Sequence, residues 1–432
     1  MPPDHQRYAG GRGADSGHGS HSATNGATGS NRPIFALTVS ESPFWKTGVM
    51  TAGPRTAPFG IYLHVPFCAT RCGYCDFNTY TPAELGGANP DGWLEALRIE
   101  LQLAAAQLAS RGSLPEVATV FVGGGTPSML GGERLAAVLD AVRANFVLAT
   151  GAEVTTEANP ESTTPELLAQ LRNAGFTRLS LGMQSVAPHV LAALDRVHSP
   201  GRALAAAAAA RAQGFEHVNL DLIYGTPGET DDDLARSVDA AIGAGVDHVS
   251  AYALVVEDGT ALGRRVRRGE LPAPDDDVLA TRYELVDARL SAAGFDWYEV
   301  SNWSLPGGEC RHNLGYWDGG QWWGAGPGAH GYVDGTRWWN VKHPNAYASM
   351  LGEGRLPVAD SESPDGAARH MEDVMLRLRL RNGLPVTTLS AAELARANGA
   401  IADGLVDRLA DRLVLTDHGR LLADAVVRDL LD

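Results

Sequence analysis

The chain has 432 residues, a formal net charge of −16 and a sequence pI near 5.2. That length supplies a large core plus a smaller domain, and the acidic balance argues against nucleic acid as the main partner, because phosphate binding needs a basic face. No apolar run reaches the ~18 residues that span a bilayer, the N-terminus lacks a charged-then-apolar leader, and four cysteines are too few for a disulfide framework. The expectation is a cytoplasmic protein, with contact to a membrane surface left open.

In chain order, residues 1–57 come first. Gly, Ser, His, Asn and Thr dominate between Ala9 and Arg32, which predicts a disordered extension. His18 and His21 read as part of that solvated tail, and Met50 reads as an alternative start. From Phe59 onward short β-branched runs at 61–65, 117–122, 153–157, 178–181, 217–223 and 248–254 alternate with Ala- and Leu-rich stretches. Those stretches, at 94–108, 134–145, 165–174, 201–213 and 232–243, predict helices, with stops at Gly175, Gly214 and Gly245. Six such repeats over 58–295 predict an α/β fold, a parallel sheet with an outer helical layer that curls into a full or partial barrel. Residues 296–365 are dense in Trp, Tyr, Gly and Asn and predict a loop-rich segment beside the barrel mouth. A helix at 367–379 then opens a C-terminal unit, 366–432. From Gly404 that unit reads as helix, strand at 413–416 and turn at Asp417-His418-Gly419, a winged-helix-like domain in a packing or lid role.

Three of the four cysteines share one loop, Cys68-Ala-Thr-Arg-Cys72-Gly-Tyr-Cys75. Thiolates at C-x3-C-x2-C spacing can clamp a soft metal centre from one side. Three ligands leave a four-iron cluster with one iron open to substrate or cofactor. A structural zinc site completed by His64 or Cys310, or unpaired thiols, are the alternatives. In parallel βα folds ligands collect at the carboxyl ends of strands, and polar motifs fall there. Gly123-Gly124-Gly125-Thr126-Pro127 follows the second strand, its glycines allowing close approach and its N–H groups suiting a carboxylate. Glu157 ends the third strand and Gln184 the fourth. Asp221 lies in the apolar fifth strand and needs partners to be buried. Arg196 is a candidate partner.

The wording Tyr62-Leu-His-Val-Pro-Phe-Cys68-x3-Cys72-x2-Cys75-Asp-Phe-Asn resembles the opening of the radical S-adenosylmethionine (SAM) superfamily. More narrowly, it resembles the oxygen-independent coproporphyrinogen oxidase and HemW branch. The resemblance implies a six-stranded partial barrel and a [4Fe-4S] cluster on Cys68, Cys72 and Cys75. It also implies a SAM pocket lined by Tyr62, Gly124, Gly125, Thr126, Glu157, Gln184, Arg196, Asp221 and Ala253. Within the branch, coproporphyrinogen dehydrogenases carry a further cysteine two residues after the third, where this chain has Phe77. Cys310-Arg-His312-Asn313-Leu-Gly-Tyr316-Trp317 matches the H-N-x-x-Y-W signature of HemW-type haem chaperones. The resemblance therefore implies haem binding with His312 as the contact, haem transfer to acceptor proteins, and an electron donor. A hydrogen-bonding role for His312 at the barrel mouth is the alternative, and Cys310 reads as an ordinary buried thiol in preference to a haem ligand. The competing activity is oxidative decarboxylation of coproporphyrinogen III to protoporphyrinogen IX. Radical modification of a small molecule is a third.

Overall fold

The computed structural model describes residues 58–112 and 114–432. The expectations for His18, His21, Met50 and the rest of 1–57 lie outside the described residues. Six strands, β1 (Phe59–Val65), β2 (Val117–Gly124), β3 (Leu148–Ala158), β4 (Arg178–Gln184), β5 (His217–Tyr224) and β6 (His248–Ala253), pair in parallel and in sequence order. One face carries Ile61, Leu63, Val65, Val120, Val122, Leu179, Leu181, Leu220, Leu222, Val249 and Ala251, all fully buried. Each Val, Leu or Ile so buried contributes about 1.5–3 kcal/mol, so this face holds the sheet and its helices together.

The helices start and stop where local chemistry dictates. Helix Pro90–Ala109 begins with the Asn89 side chain accepting from Gly92 N–H at 3.0 Å. Thr164 caps Pro165–Ala174, which ends at Gly175 with φ +106°, a left-handed turn that glycine adopts without Cβ strain. Thr230 and Asp233 form a reciprocal capping box at Asp231–Gly243.

Residues 296–365, expected as loop-rich, instead form six short strands that extend the sheet at both edges. These are β7 (Asp296–Glu299), β8 (Asn302–Ser304), β9 (Gln321–Ala325), β10 (His330–Val333), β11 (Thr336–Asn340) and β12 (Val358–Glu362). Strand β8 pairs antiparallel with β6 and with β7, while β9 pairs parallel with β1 and is followed outward by β10, β11 and β12. The result is an open twelve-stranded sheet, with the parallel six as a partial barrel. Glu100, wholly buried in the first helix, accepts from Tyr347 Oη (2.5 Å), Asn340 Nδ2 (2.7 Å) and Gly326 N (2.8 Å), fastening the outer strands to the barrel.

The C-terminal unit has its own core of Val374, Leu378, Leu384, Ala397, Val406, Leu413, Leu415, Val426, Val427 and Leu430. Helices Gly366–Leu378 and Ala391–Ala402 pack with a small sheet of β13 (Leu384–Pro385), β14 (Val406–Leu409) and β15 (Arg412–Leu415), the winged-helix arrangement. Residues 406–409 are strand rather than helix, because Asp407, Arg408 and Leu409 pair across a hairpin whose turn holds Ala410 at φ +55°. The expected turn at 417–419 is a short helix, Asp417–Leu421, capped by Thr416. Arg420 joins this unit to the sheet edge, bidentate on Asp287 at 2.8 Å to each oxygen and 4.7 Å above the Trp297 ring.

Candidate functional site

The other face of the parallel strands is polar. Side chains alternate across a strand, and this alternation places Thr119 and Phe121 on β2, Glu153, Thr155 and Glu157 on β3, and Arg178 and Ser180 on β4 on the concave side. Asn219 and Asp221 on β5 and His248, Ser250 and Tyr252 on β6 complete it. Strands buried on both faces normally read as continuous apolar runs. The regular polar alternation in 153–157, 178–182, 217–221 and 248–252 is the sequence signal of a polar interior.

At the carboxyl end, the cysteine loop sits over β1 and β2. Cys68 N–H donates to Tyr80 C=O (3.1 Å), Gly73 N–H to Leu194 C=O (3.1 Å) and Leu262 N–H to Gly73 C=O (2.8 Å), so the segment after the loop, the end of helix Pro188–Ala193 and the start of helix Ala261–Arg267 hold the loop. Cys68, Cys72 and Cys75 are half-buried free thiols. Burial pushes the Cys68 thiol up, and the Cys75 thiol to about 11. Cys68 Sγ lies 3.6 Å from Thr126 Oγ1, and Arg196 Nη1 donates to Cys72 Sγ at 3.5 Å.

The glycine run works differently from expectation. Its amides are not free: Gly124 N–H donates to Glu157 Oε2 (3.0 Å), Gly125 N–H to Val65 C=O (2.7 Å) and Thr126 N–H to Phe67 C=O (2.8 Å). The expected close approach is present, but it is to the chain's own backbone and the His64 ring. A Cβ on Gly125 would stand 2.5 Å from Phe67 O, and one on Gly124 2.6 Å from the His64 ring. Gly124 also has φ +113°. Glycine here lets the chain leading into Cys68 pass directly against β2.

Glu157, Asp221, Arg196 and Gln184 lie below the loop, with Asp195, Tyr62 and Ala253 around them. Glu157, its desolvation reinforced by nearby Asp221, is pushed up to about 7. Burial also raises Asp221, which accepts from Ser180 Oγ (3.1 Å) and Asn219 Nδ2 (2.6 Å). Arg196 partners Asp221 by charge, without a hydrogen bond between them; its Nη2 goes to Gly182 C=O (3.1 Å), and its buried Nε has no partner among the described residues. Gln184, at φ +65°, and Asp195, at φ +51°, are non-glycine residues in the left-handed region, a cost of roughly 1–3 kcal/mol each that concentrates at functional sites. Tyr62 donates to His64 Nδ1 (3.0 Å), since His64 Nε2 must donate to Asn78 C=O (2.9 Å). Ala253 ends β6 opposite Tyr224.

These residues fit the cluster and SAM. Soft sulfur donors, an orphaned guanidinium N–H that wants an anion, and two buried carboxylates that want a cation surround one place. Among the described residues no three His, Cys, Asp or Glu side chains converge on one point as ligands of a single ion do. A four-iron cluster asks less, because each thiolate holds a different iron.

His312 is not brought to this end. It lies in helix Arg311–Trp317 beside the amino-terminal half of β1 and β2, buried, with Nδ1 2.8 Å from Thr119 Oγ1 and Nε2 2.9 Å from Tyr316 Oη. Its ring stacks 5.3 Å from Phe121. Asn313 Nδ2 donates to Glu299 (2.7 Å), and Glu153 accepts Arg311 N–H (3.2 Å), His312 N–H (3.1 Å) and the Cys310 thiol (3.5 Å) while paired with Arg178. Glu153, Arg178 and Glu299 were missed from sequence; their alternation with apolar neighbours was the available sign. His312 therefore hydrogen-bonds within the barrel floor rather than at its mouth.

The family model of the Radical SAM superfamily matches residues 62–241. The chain is 75% identical over 374 residues to the heme chaperone HemW of Mycobacterium tuberculosis (strain H37Rv), covering 87% of this chain and 95% of that one. It is 35% identical to the heme chaperone HemW of Escherichia coli (strain K12), covering 86% and 98%. Among solved structures, Escherichia coli coproporphyrinogen III oxidase (HemN), a radical SAM enzyme, matches with a TM-score of 0.74 at 23% identity over 87% of this chain and 90% of that one, a likeness of fold.

Proposed function

The chain belongs to the heme chaperone HemW family of the radical SAM superfamily, and from that premise we propose that it binds a [4Fe-4S] cluster, SAM and haem, and passes haem to acceptor proteins in the cytoplasm. The observation that carries the reading is the convergence of Cys68, Cys72 and Cys75 with Arg196, Glu157 and Asp221 at one end of the barrel. In this reading the barrel, 58–295, holds the cofactors, 296–365 extends its wall, and 366–432 packs against its edge. Cys68, Cys72 and Cys75 hold the cluster, which with SAM supplies one-electron chemistry when both are bound.

The chain's own residues do the rest. Arg196 offers its unpartnered Nε–H to the SAM carboxylate while its Nη1 steadies Cys72. Glu157 and Asp221 face the cationic groups of SAM, and the cation draws both carboxyls back toward ionisation. Thr126 stands beside Cys68, and Gly124 and Gly125 give the loop its seat on β2. Tyr62, Gln184 and Ala253 border the same space. The sequence resemblance also names His312 as a haem contact, but coordination would cost its hydrogen bond to Thr119 or to Tyr316, so this reading does not rest on His312.

Phe77 stands where the dehydrogenases of the branch carry a cysteine, which favours haem carriage over decarboxylation. The acceptor, with any membrane association, and the electron donor are further parts of the proposal. Haem titration of the anaerobically reconstituted protein tests it. Stoichiometric binding with no turnover of coproporphyrinogen is expected, and turnover without haem binding would overturn it.

A further inference from the structure

The concave face of the barrel does not stop at β1. Register carries it across β9 to β11: Gly60 pairs with Trp322, Trp322 with Tyr332, Tyr332 with Arg337, and His330 with Trp339. Residues in lateral register share a face, so Trp322, His330, Tyr332, Trp339 and Arg337 continue the wall begun by Tyr62 and His64. All five are half-buried. The His330 ring lies 5.8 Å from that of Trp339 at 26°, and the Trp322 ring lies 5.7 Å from that of Tyr332, tilted at 43°, while its Nε1–H holds the His330 carbonyl at 2.8 Å.

His330 differs from the interior histidines in one decisive way. His64, His248 and His312 each have both ring nitrogens within hydrogen-bond distance of protein groups. No hydrogen bond reaches the His330 ring nitrogens among the described residues. Burial, with Lys342, His64 and Arg337 nearby, depresses it to about 4, so the imidazole is neutral and ready to coordinate a metal at physiological pH. Lys342 is exposed and makes no ion pair among the described residues, whereas Arg337 is shared between Glu362 and Glu372. Asp360 lies opposite Trp339 on the outer strand.

A flat aromatic macrocycle with a metal at its centre and two carboxylates at its edge meets each of these groups with its own chemistry. We propose that His330, Trp339, Trp322, Tyr332 and Lys342 form a haem-binding face on the extended sheet, with His330 as axial ligand and Lys342 taking a propionate. The proposal rests on the haem-chaperone reading. It places the cargo on the wall shared with His64, whose ring lies close against Gly124.

The test is ferric haem titration of the reconstituted full chain, followed by Soret absorbance, for wild type, His330→Ala, Lys342→Glu and His312→Ala. His330→Ala is expected to weaken binding roughly tenfold or more and to lose the axial-imidazole spectrum, which added imidazole restores. Lys342→Glu, an exposed substitution that leaves the core untouched, is expected to weaken binding several-fold, roughly 1 kcal/mol. Far-UV circular dichroism and iron content separate these effects from misfolding. Wild-type affinity and spectrum in both His330→Ala and Lys342→Glu overturn the proposal, as does loss of the axial spectrum in His312→Ala alone. No binding by the wild type overturns the haem-chaperone reading itself, and this inference with it.

Discussion

Replacing Glu157 by Gln separates what the ligand site costs from what it does. In the ligand-free barrel, burial and Asp221 raise Glu157 from 4.5 to about 7. At 1.36 kcal/mol per pH unit, keeping it ionised costs the folded state up to about 3 kcal/mol. The sign follows from protons bound. Below pH 4.5 the carboxyl is protonated folded and unfolded, so it contributes nothing. Between 4.5 and 7 only the unfolded chain ionises, so stability falls as pH rises. Above 7 the full cost is present. Glutamine keeps an oxygen for Gly124 N–H and never ionises. Urea unfolding of the cofactor-free protein at pH 5, 6, 7 and 8 is therefore expected to show Glu157→Gln gaining stability over wild type with pH, by up to about 3 kcal/mol at pH 8. SAM binding to the reconstituted variant is expected to weaken by roughly tenfold or more. A stability difference that does not change with pH would refute the reasoning.

Arg420→Ala removes a buried guanidinium from Asp287, Trp297 and Tyr283, leaving the carboxylate without its cation. The expected loss is about 3–5 kcal/mol, seen as earlier thermal unfolding and as proteolysis within 366–432. Gly125→Ala drives a methyl into the Phe67 carbonyl and is expected to displace the Cys68 loop, lowering iron and sulfide content after reconstitution while the far-UV spectrum stays native. Cys310→Ala is expected to reconstitute with wild-type iron content, because that thiol is buried against Glu153 in the barrel floor; Cys68→Ala is expected to lose the cluster.

How far the chain was legible follows from the range of each interaction. The strand and helix alternation, the cap at Gly175 and the cysteine loop are local, and each sits where its residues predict. The pairing of β1 with β9 joins residues more than 250 positions apart, and no local pattern in the Trp-rich stretch announces it. Glu153 and Glu299 were hidden for a related reason. Their meaning depends on the Arg311–Trp317 helix reaching into the barrel from far along the chain. The H-N-x-x-Y-W motif was visible, but its burial was not, because a motif reports residue types and not which nitrogens are already engaged. The glycine run was read for close approach of a ligand and for free amides; the close approach it serves is that of the Val65–Cys68 backbone, and its amides are engaged.

The most direct measurement loads the reconstituted protein with one equivalent of haem and mixes it with an apo-haemoprotein acceptor, following the Soret band of each partner. Coproporphyrinogen III and SAM are incubated with the same preparation in parallel. The account predicts haem arriving on the acceptor and no protoporphyrinogen IX formed. Protoporphyrinogen IX accumulating while haem fails to bind or transfer would contradict it.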